Sequence, residues 1–586
     1  MSVTNKSVAQ FLETIATYMR LAGENDFRSA AFDKAARLIE TMELPIDTFI
    51  RDGSLMSIKG IGQSIANDIT AFSLTGTAPV LDALKEKVPS ELVKWLDISG
   101  LGPKKIYKIH SELGITTLGE LKMACSDGRV ASLAGMGEKS AEKILKSIDW
   151  MEQFAERCRL DEAETIAMRF KTLLSGLSGV KRIELAGSFR RKLETIGDID
   201  LLIAADATSV NDLFDRFTKH ESVIEVLGRG DTKSSVRVQE GRQVDLRIVT
   251  DDQFDAALMY FTGSKEHNVI MRQRARDRGM ALNEYGLFKL TESGETNFSE
   301  RIPVYTEEDI YKTLELNWIP PELREDRGEF SAYEGHKSLN LVQELDIKGI
   351  LHAHSTYSDG SYSIEQMARA CIERGFEYLG LTDHSKTAAY AGGLNEKAVY
   401  KQWKEIDALN NQFEKEGIRF RIFKGIESDI LSDGSLDYDA DTLNGFDFVI
   451  ASVHFSLDME PQKMLERFKR AVENPFTRIV GHPTGRLLLK RDGNPFEMNA
   501  LIDFATEHNT AIEINASPWR LDLDWRYGRK AEQVGLMSAI CPDAHDIEGI
   551  DDIRFGVSIA RKARFTKERI LNTKTIEELE KWFKRS

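Results

Sequence analysis

The sequence predicts a multidomain protein with an α-helical front, an α+β middle and a βα barrel at the back. Three observations carry that expectation. A short Gly-apolar-Gly turn recurs three times before residue 150, each time ahead of an amphipathic stretch. Between residues 198 and 248, acids alternate with aliphatics at the period of a half-buried strand. After residue 345, short apolar runs end in histidine or an acid and most pass into helical stretches, the alternation of a βα barrel whose chemistry gathers at the carboxyl ends of its strands. At 586 residues the chain exceeds one core and implies about three to five units.

Hydrophobic residues make up 41% and charged residues 29%. No run of about 18 apolar residues is present to span a membrane. The opening MSVTNKSVAQ lacks a basic segment followed by an apolar one, so no secretory signal is expected. Cys125, Cys158, Cys371 and Cys541 stand far apart without a Cys-x-x-Cys pair, which fits a reducing cytoplasm and no disulfide framework. The net charge of −16 argues against a uniformly basic binder of nucleic acid. Lys plus Arg against Asp plus Glu is 40 against 45 over residues 1–300, 38 against 49 over 301–586, and 17 against 15 over 101–200. Any grip on nucleic acid would come from local patches and backbone amides, with modest affinity and a shallow salt slope.

The three turns read IKGIGQSIANDI from Ile58, ISGLGPKKIYKI from Ile98 and LAGMGEKSAEKIL from Leu133. Their glycines permit a tight entry into a helix, whose unpaired amides and positive dipole end favour a phosphate. Single turns of this kind are often plain structure, and the repetition favours phosphate binding. The pattern resembles the helix-hairpin-helix motif. That likeness implies contacts to a DNA backbone at Gly60, Gly62, Gly100, Gly102, Gly135 and Gly137, without base reading. The third copy is expected to serve packing more than grip.

Residues 187–200 read GSFRRKLETIGDID. Asp198 and Asp200 stand two apart on the apolar run Ile199, Leu201, Leu202, Ile203, so in a strand both carboxylates share one face. Two like charges that close need a cation, or else form a solvated strand end; spacing alone leaves both open. Gly187 and Ser188 offer a close backbone approach and a hydroxyl to a phosphate, and Arg190 and Arg191 offer forked donors. A third acid, Asp245, lies in QVDLRIV with Val244, Leu246 and Ile248 pointing the other way. Gly-Ser-X-Arg-Arg followed by Gly-Asp-Ile-Asp resembles the catalytic palm of family X DNA polymerases, of the polymerase beta-like bacterial and archaeal type. The resemblance implies that Asp198 and Asp200 hold two magnesium ions while Asp245 helps activate the primer 3′-hydroxyl. It also puts Gly187, Ser188, Arg191 and Gly197 in the nucleotide site, with Ser188 and Arg191 on the triphosphate.

The segment YFTGSKEHNVIMRQRARDRGMALNEYGLF from Tyr260 resembles the start of the same family's thumb. Tyr260 and Phe261 would exclude a 2′-hydroxyl by shape, Gly263 would leave room for the base, and Asn268 and Arg272 would reach the minor-groove edge. Arg274 to Arg278 are expected to be surface charges. Lys265 stands where well-known animal members carry an acid. Some relatives also remove a 5′-deoxyribose phosphate through a lysine Schiff base. Here the corresponding helix has Asp68 in place of the nucleophile, Ser64 in place of a supporting lysine and Phe32 in place of a tyrosine, so no lyase is expected, or a weak one through Lys59.

Beyond an acidic connector containing two prolines, IKGILHAHSTYSDG gives His352, His354 and Asp359, and LGLTDHS gives His384. FKGIES, FVIASVHF, IVGHP and CPDAHD then give Glu427, His454, His482, Asp543 and His545. Nine such ligands suffice for three divalent ions with three protein ligands each. Their order resembles that of the PHP (polymerase and histidinol phosphatase) family, which implies a distorted (βα)7 barrel with up to three manganese or zinc ions. Lys386, Arg486 and Arg520 are either phosphate contacts or surface charges; Asn515 is placed at the mouth; Asp522 and Asp524 are taken as surface acids.

Together these likenesses imply a helical domain over 1–85, fingers over 86–152, a nucleotidyltransferase palm over 153–256, a thumb over 257–317, a linker over 318–345 and a PHP phosphoesterase domain over 346–586. The implied function is magnesium-dependent, templated filling of short gaps in DNA repair. A separate 3′→5′ exonuclease or phosphoesterase, or an abasic-site endonuclease, would reside in the barrel. Expected partners are gapped or primed DNA and deoxynucleoside triphosphates, with a monomeric, cytoplasmic protein. The rivals are template-independent nucleotidyl transfer, against which Asn268 and Arg272 speak, and a DNA-binding scaffold whose barrel is structural.

Overall fold

Each glycine turn opens a helix in the computed structural model, which describes residues 4–584 apart from 41, 43, 99, 155, 156 and 336. Gly60, Gly100 and Gly135 take φ of +112°, +93° and +80°, a region open to glycine at little cost. Gly62 and Gly102 then cap Gln63–Thr75 and Pro103–Leu113, and Gly137 precedes Glu138–Phe154. The chain divides into two compact units, Met1–Ala155 with Leu489–Arg491, and Glu156–Leu488 with Asp492–Ser586. The first is helical and holds two cores, one around Leu12, Ile39, Ile65 and Ile69, the other around Trp95, Ile106, Ile144 and Ile148. In the second core, the helix behind the third turn packs on the second turn: a Cβ at Gly100 would meet Lys143 and Ile144.

The larger unit begins with a five-stranded sheet in the order Val180–Leu185, Asp198–Ala205, Gln243–Val249, Lys233–Val238, Val223–Arg229. Asp198–Ala205 and Gln243–Val249 run parallel and the other pairs antiparallel. Ile199, Leu201 and Ile203, with Val244, Leu246 and Ile248, pack against Phe170, Phe214 and Phe217 of Leu160–Ser175 and Val210–Thr218. Leu202 and Ala204 pack the other way, on Phe254–Thr262. The pleat therefore turns Asp198, Asp200 and Asp245 to that second face.

A three-stranded antiparallel sheet, Met280–Asn283, Gly286–Leu290 and Thr296–Ile302, follows with helices Lys265–Arg276 and Glu307–Thr313. The stretch 318–345 is no bare tether: Ile319, Leu323, Tyr333 and Leu341 join this core.

Seven parallel strands then follow in sequence order: Gly349–Ile350, Tyr378–Leu381, Arg421–Asp429, Phe448–Ser452, Thr477–Val480, Ala511–Asn515 and Ser538–Cys541. A parallel bridge between Ala353 and Ala544 links the first to the last, making a nearly closed barrel. Helices such as Ile364–Glu373, Pro461–Glu473 and Ile553–Lys562 return the chain from one strand to the next. Helix Ile576–Phe583 stoppers the amino ends of the strands, its Phe583 ring stacked 4.8 Å from that of Phe448. The carboxyl ends are left for chemistry. Among the described residues no helix is long and apolar enough to cross a membrane.

Candidate active sites

Parallel register sets Asp200 directly opposite Asp245, with Asp198 one pleat away. The three acids each bring a carboxylate oxygen to within 4.8 Å of the others. Burial, then the charges of Asp198 and Asp245, push the Asp200 carboxyl up to about 7. Asp245 is 4% exposed; it accepts from the Gln243 amide at 2.9 Å and pairs with Lys233 at 2.5 Å. Gly187 has φ +58°, and a Cβ there would lie 2.1 Å from Asp200 Oδ2, so the carboxylate occupies the space a side chain would need. Three mutually repelling acids beneath a side-chain-free backbone fit divalent cations and a phosphate.

The arginines divide. Arg190 spends its fork on Glu307, at 2.6 and 2.9 Å, and on Thr262 Oγ1, so it is a structural strut rather than a phosphate donor. Arg191 bonds Thr262 O at 2.6 Å and Glu325 at 3.0 Å, and its guanidinium lies 3.2 Å from where a Gly263 Cβ would be. Ser188 lies in the turn Gly187–Arg190, and Gly197 directly precedes Asp198. Tyr260 and Phe261 meet edge to face, ring centroids 5.3 Å apart, with Arg247 4.1 Å over Phe261. Asn268 donates to Tyr260 O at 2.7 Å, and its buried Oδ1 has no hydrogen-bond partner. Arg272 is exposed, whereas Arg274 and Arg278 bind Leu314 O and Glu315.

At the barrel's carboxyl end Glu427 is the hub. Its oxygens lie 2.9 Å from His482 Nε2, 2.9 Å from His384 Nδ1, 3.2 Å from His454 Nε2, and 3.6 and 3.8 Å from His352 and His354. Asp543 meets His354 at 3.1 Å and His352 at 3.4 Å. Asp359, with His354, His384 and His545, forms a further group of four. All nine expected ligands thus converge on one centre. Burial opposes charge on Glu427, but His454, His384 and His352 hold its carboxyl well below the usual range. His352 Nε2, His354 Nδ1 and His482 Nδ1 are buried without a hydrogen-bond partner, which fits ions as their missing partners.

A helix-hairpin-helix domain matches residues 3–78, a SAM-like helix-hairpin-helix tandem 90–149, a DNA polymerase beta thumb 257–325 and a PHP domain 351–517. The DNA polymerase/3′-5′ exonuclease PolX of Bacillus subtilis (strain 168) is 40% identical over 583 residues, 99% of each chain. This chain belongs to the family X DNA polymerases that carry a PHP domain. DNA polymerase lambda of Rattus norvegicus is 24% identical over 55% of this chain and 56% of its own. A probable phosphatase of Thermoanaerobacter sp. (strain X514) is 28% identical over 38% of this chain and 89% of its own.

In this family X chain the site contains residues that motif reading passed over. Glu513 accepts from His352 Nδ1 at 3.2 Å and His482 N at 3.2 Å, and Asp429 faces His454 Nδ1 at 3.0 Å, each contact holding the imidazole of an expected ligand. Cys541 groups with His352 and Glu513. Asn515 donates to Asp543 at 3.1 Å and is fully buried, a support behind the cluster rather than a residue at its mouth. Asp522 and Asp524 are corrected. Asp522 is fully buried and accepts from Thr484 N and Oγ1, because a bridge to Asn515 draws its strand inward. Asp524 pairs with Arg486 at 2.6 Å, which also withdraws Arg486 from substrate. Lys386 is tied to Glu396 at 2.8 Å, while Arg520 lies 3.8 Å from Asp543. Asp68 is 9% exposed, its carboxyl raised by burial, and no amine occupies that position.

Proposed function

We infer that the protein is a DNA-directed DNA polymerase that fills short gaps in DNA repair, with a 3′→5′ exonuclease in its PHP barrel. The observation that carries the synthetic half is the Asp200–Asp245 register beneath Gly187, with Asp198 alongside. Both activities depend on divalent metal. We assign two magnesium ions to Asp198, Asp200 and Asp245, and up to three manganese or zinc ions to His352, His354, Asp359, His384, Glu427, His454, His482, Asp543 and His545. Bound ions would supply activation of an attacking oxygen and neutralisation of a departing one at both sites.

The rest is work for the chain's own groups. Gln243 and Lys233 fix the Asp245 carboxylate for its role beside the primer 3′-hydroxyl. Ser188 and Arg191 receive the triphosphate, so nucleotide entry exchanges the Glu325 carboxylate on Arg191 for a phosphate. Tyr260, Phe261 and Gly263 shape the sugar and base pocket, and Asn268 and Arg272 read the minor-groove edge once Asn268 leaves Tyr260 O. Gly62, Gly102, Gly135 and Gly137 face open space, as backbone phosphate contacts require, whereas a Cβ on Gly60 would meet Leu38 at 3.3 Å and one on Gly100 would meet Lys143. Arg520 is the cation we place on the cleaved phosphate. Four buried free cysteines suit a reducing cytoplasm, and we take the protein as a monomer.

The test is a labelled gapped duplex incubated with magnesium or manganese, with and without nucleotides and template. Wild type extends only with template and, without nucleotides, shortens the 3′ end. Asp198→Ala is expected to lose extension and keep shortening, and His352→Ala the reverse. Extension by Asp198→Ala would refute the palm assignment.

A further inference from the structure

The barrel centre opens to solvent on one side. Asp359 and His545 have side chains 34% and 40% exposed, whereas His352, His354 and Glu427 are closed. A loop leaves the sheet at His384 and returns at Leu394, whose N–H donates to His384 O at 2.8 Å. Inside it, Gly393 N bonds Ala388 O at 3.0 Å, and Thr387 N donates to Asp437 at 2.6 Å. Ala388 and Ala391 are buried at 1% and 4%, so the loop is pinned on both sides of its tip. A Cβ on Gly392 would sit 3.4 Å from Ser358 O, so the tip lies against the loop that carries Asp359.

That tip is Tyr390. The residue is 70% exposed, yet its ring centroid is 6.2 Å from that of the His384 imidazole. Asp359, Glu427, Asp429 and Arg520 are its charged neighbours. Scattered exposed aromatics are ordinary on a protein surface. This one is carried by a loop pinned on both sides of its tip, at the open lip of the His and acid cluster. Aromatic faces in such positions stack unpaired bases and tolerate every sequence, because each base has a π-face.

We propose that Tyr390 is the stacking platform for the terminal nucleobase of an unpaired 3′ end entering the barrel site. The proposal rests on the nuclease reading above and deepens it. A paired terminal base keeps its faces stacked in the duplex, so the platform makes the site prefer single-stranded or frayed ends and turns the nuclease toward mispaired termini. Arg520 remains available for the phosphate on the Asp543 side.

The experiment compares wild type with Tyr390→Ala, Tyr390→Phe and Tyr390→Trp on a single-stranded oligonucleotide and on the same strand ending in a tetrahydrofuran abasic residue, which has no terminal base. Tyr390→Ala is expected to raise KM for the oligonucleotide by about five- to a hundredfold, the equivalent of one stacked base. KM for the abasic-ended strand stays unchanged, and Phe or Trp restores KM for the strand that keeps its terminal base. In chelator, a 3′-terminal 2-aminopurine strand should be quenched by wild type and Tyr390→Trp, and less by Tyr390→Ala. An unchanged oligonucleotide KM in Tyr390→Ala overturns the proposal, as does an equal rise in KM on the abasic-ended strand, which would make the ring a support of the metal cluster. Wild-type protein that cleaves neither substrate would instead fail the nuclease reading and take the subsite with it.

Discussion

Glu194 lies inside the 187–200 stretch and joins the palm to the barrel. Its carboxylate accepts from Trp525 Nε1 at 2.9 Å and from Arg526 Nη1 at 2.6 Å. Burial opposes its charge, but Arg526 and Arg486 prevail and bring its carboxyl down to about 2 from 4.5. At 1.36 kcal/mol per unit, that depression corresponds to about 3 kcal/mol of folded-state stability at neutral pH. The sign follows from a folded value below the unfolded one. The stabilisation is complete well above pH 4.5 and falls as the unfolded carboxyl takes up a proton, with about 2 kcal/mol lost by pH 3. Glu194→Gln keeps an acceptor for the buried Trp525 indole but removes the charge. Denaturant unfolding of wild type and Glu194→Gln, followed from pH 7 to pH 3, should show a gap of about 2–3 kcal/mol that narrows steadily with acidification. Glu194→Ala should cost about 1 kcal/mol more by leaving the indole donor unpaired. A gap below about 0.5 kcal/mol, or one independent of pH, would refute the account of this contact.

Three further outcomes follow from the geometry. Glu427→Gln removes the charge shared by five imidazoles, so manganese should raise the unfolding temperature of wild type and barely that of the variant; at a hundredfold excess over Kd the wild-type gain is about 2.7 kcal/mol. Gly187→Ala drives a Cβ against Asp200 Oδ2 at φ +58°, and primer extension should fall about tenfold or more while hydrolysis of bis(p-nitrophenyl) phosphate is unaffected, each measured as an initial rate. With Asp68 where a lyase amine would stand, borohydride should trap no covalent adduct between the protein and a 5′-deoxyribose phosphate end; a trapped adduct lost in Lys59→Ala would assign that amine instead.

What was legible in the sequence is what local periodicity controls. Asp198 and Asp200 share a face because strands alternate, and the barrel's expected ligands could be found because all but Asp359 stand at or just beyond the end of an apolar run. The same spacing held an unused signal: Asp429 and Glu513 stand two residues from Glu427 and Asn515, and therefore on the same strand faces. Lys233 needed the antiparallel register of a neighbouring strand before it could be brought to Asp245. Arg190 looked like a phosphate donor until Glu307, 117 positions away, filled its fork. Asp522 looked like a surface acid until the chain's return past Asn515 buried it.

The contacts hidden from sequence are concentrated where the palm meets the barrel. Lys562, at the end of barrel helix Ile553–Lys562, is buried and bonds Glu325 at 2.6 Å and Arg191 O at 3.1 Å. Burial pulls its amine down to about 8 while Glu325 pulls the other way. Glu325 in turn holds the Arg191 guanidinium at 3.0 Å. Trp525 lies under Lys562, 4.4 Å from its Nζ to the ring centroid, and donates to Glu194. Arg191 and Glu194 bracket the segment that leads into Asp198, so the backbone on which the palm acids depend is buttressed by barrel side chains. A buried charge is costly to leave unpaired, and each member of this chain satisfies the next. The barrel therefore has two distinct duties in this protein: a ligand cluster at the carboxyl ends of its strands, and a flank that fixes the geometry of the synthetic site.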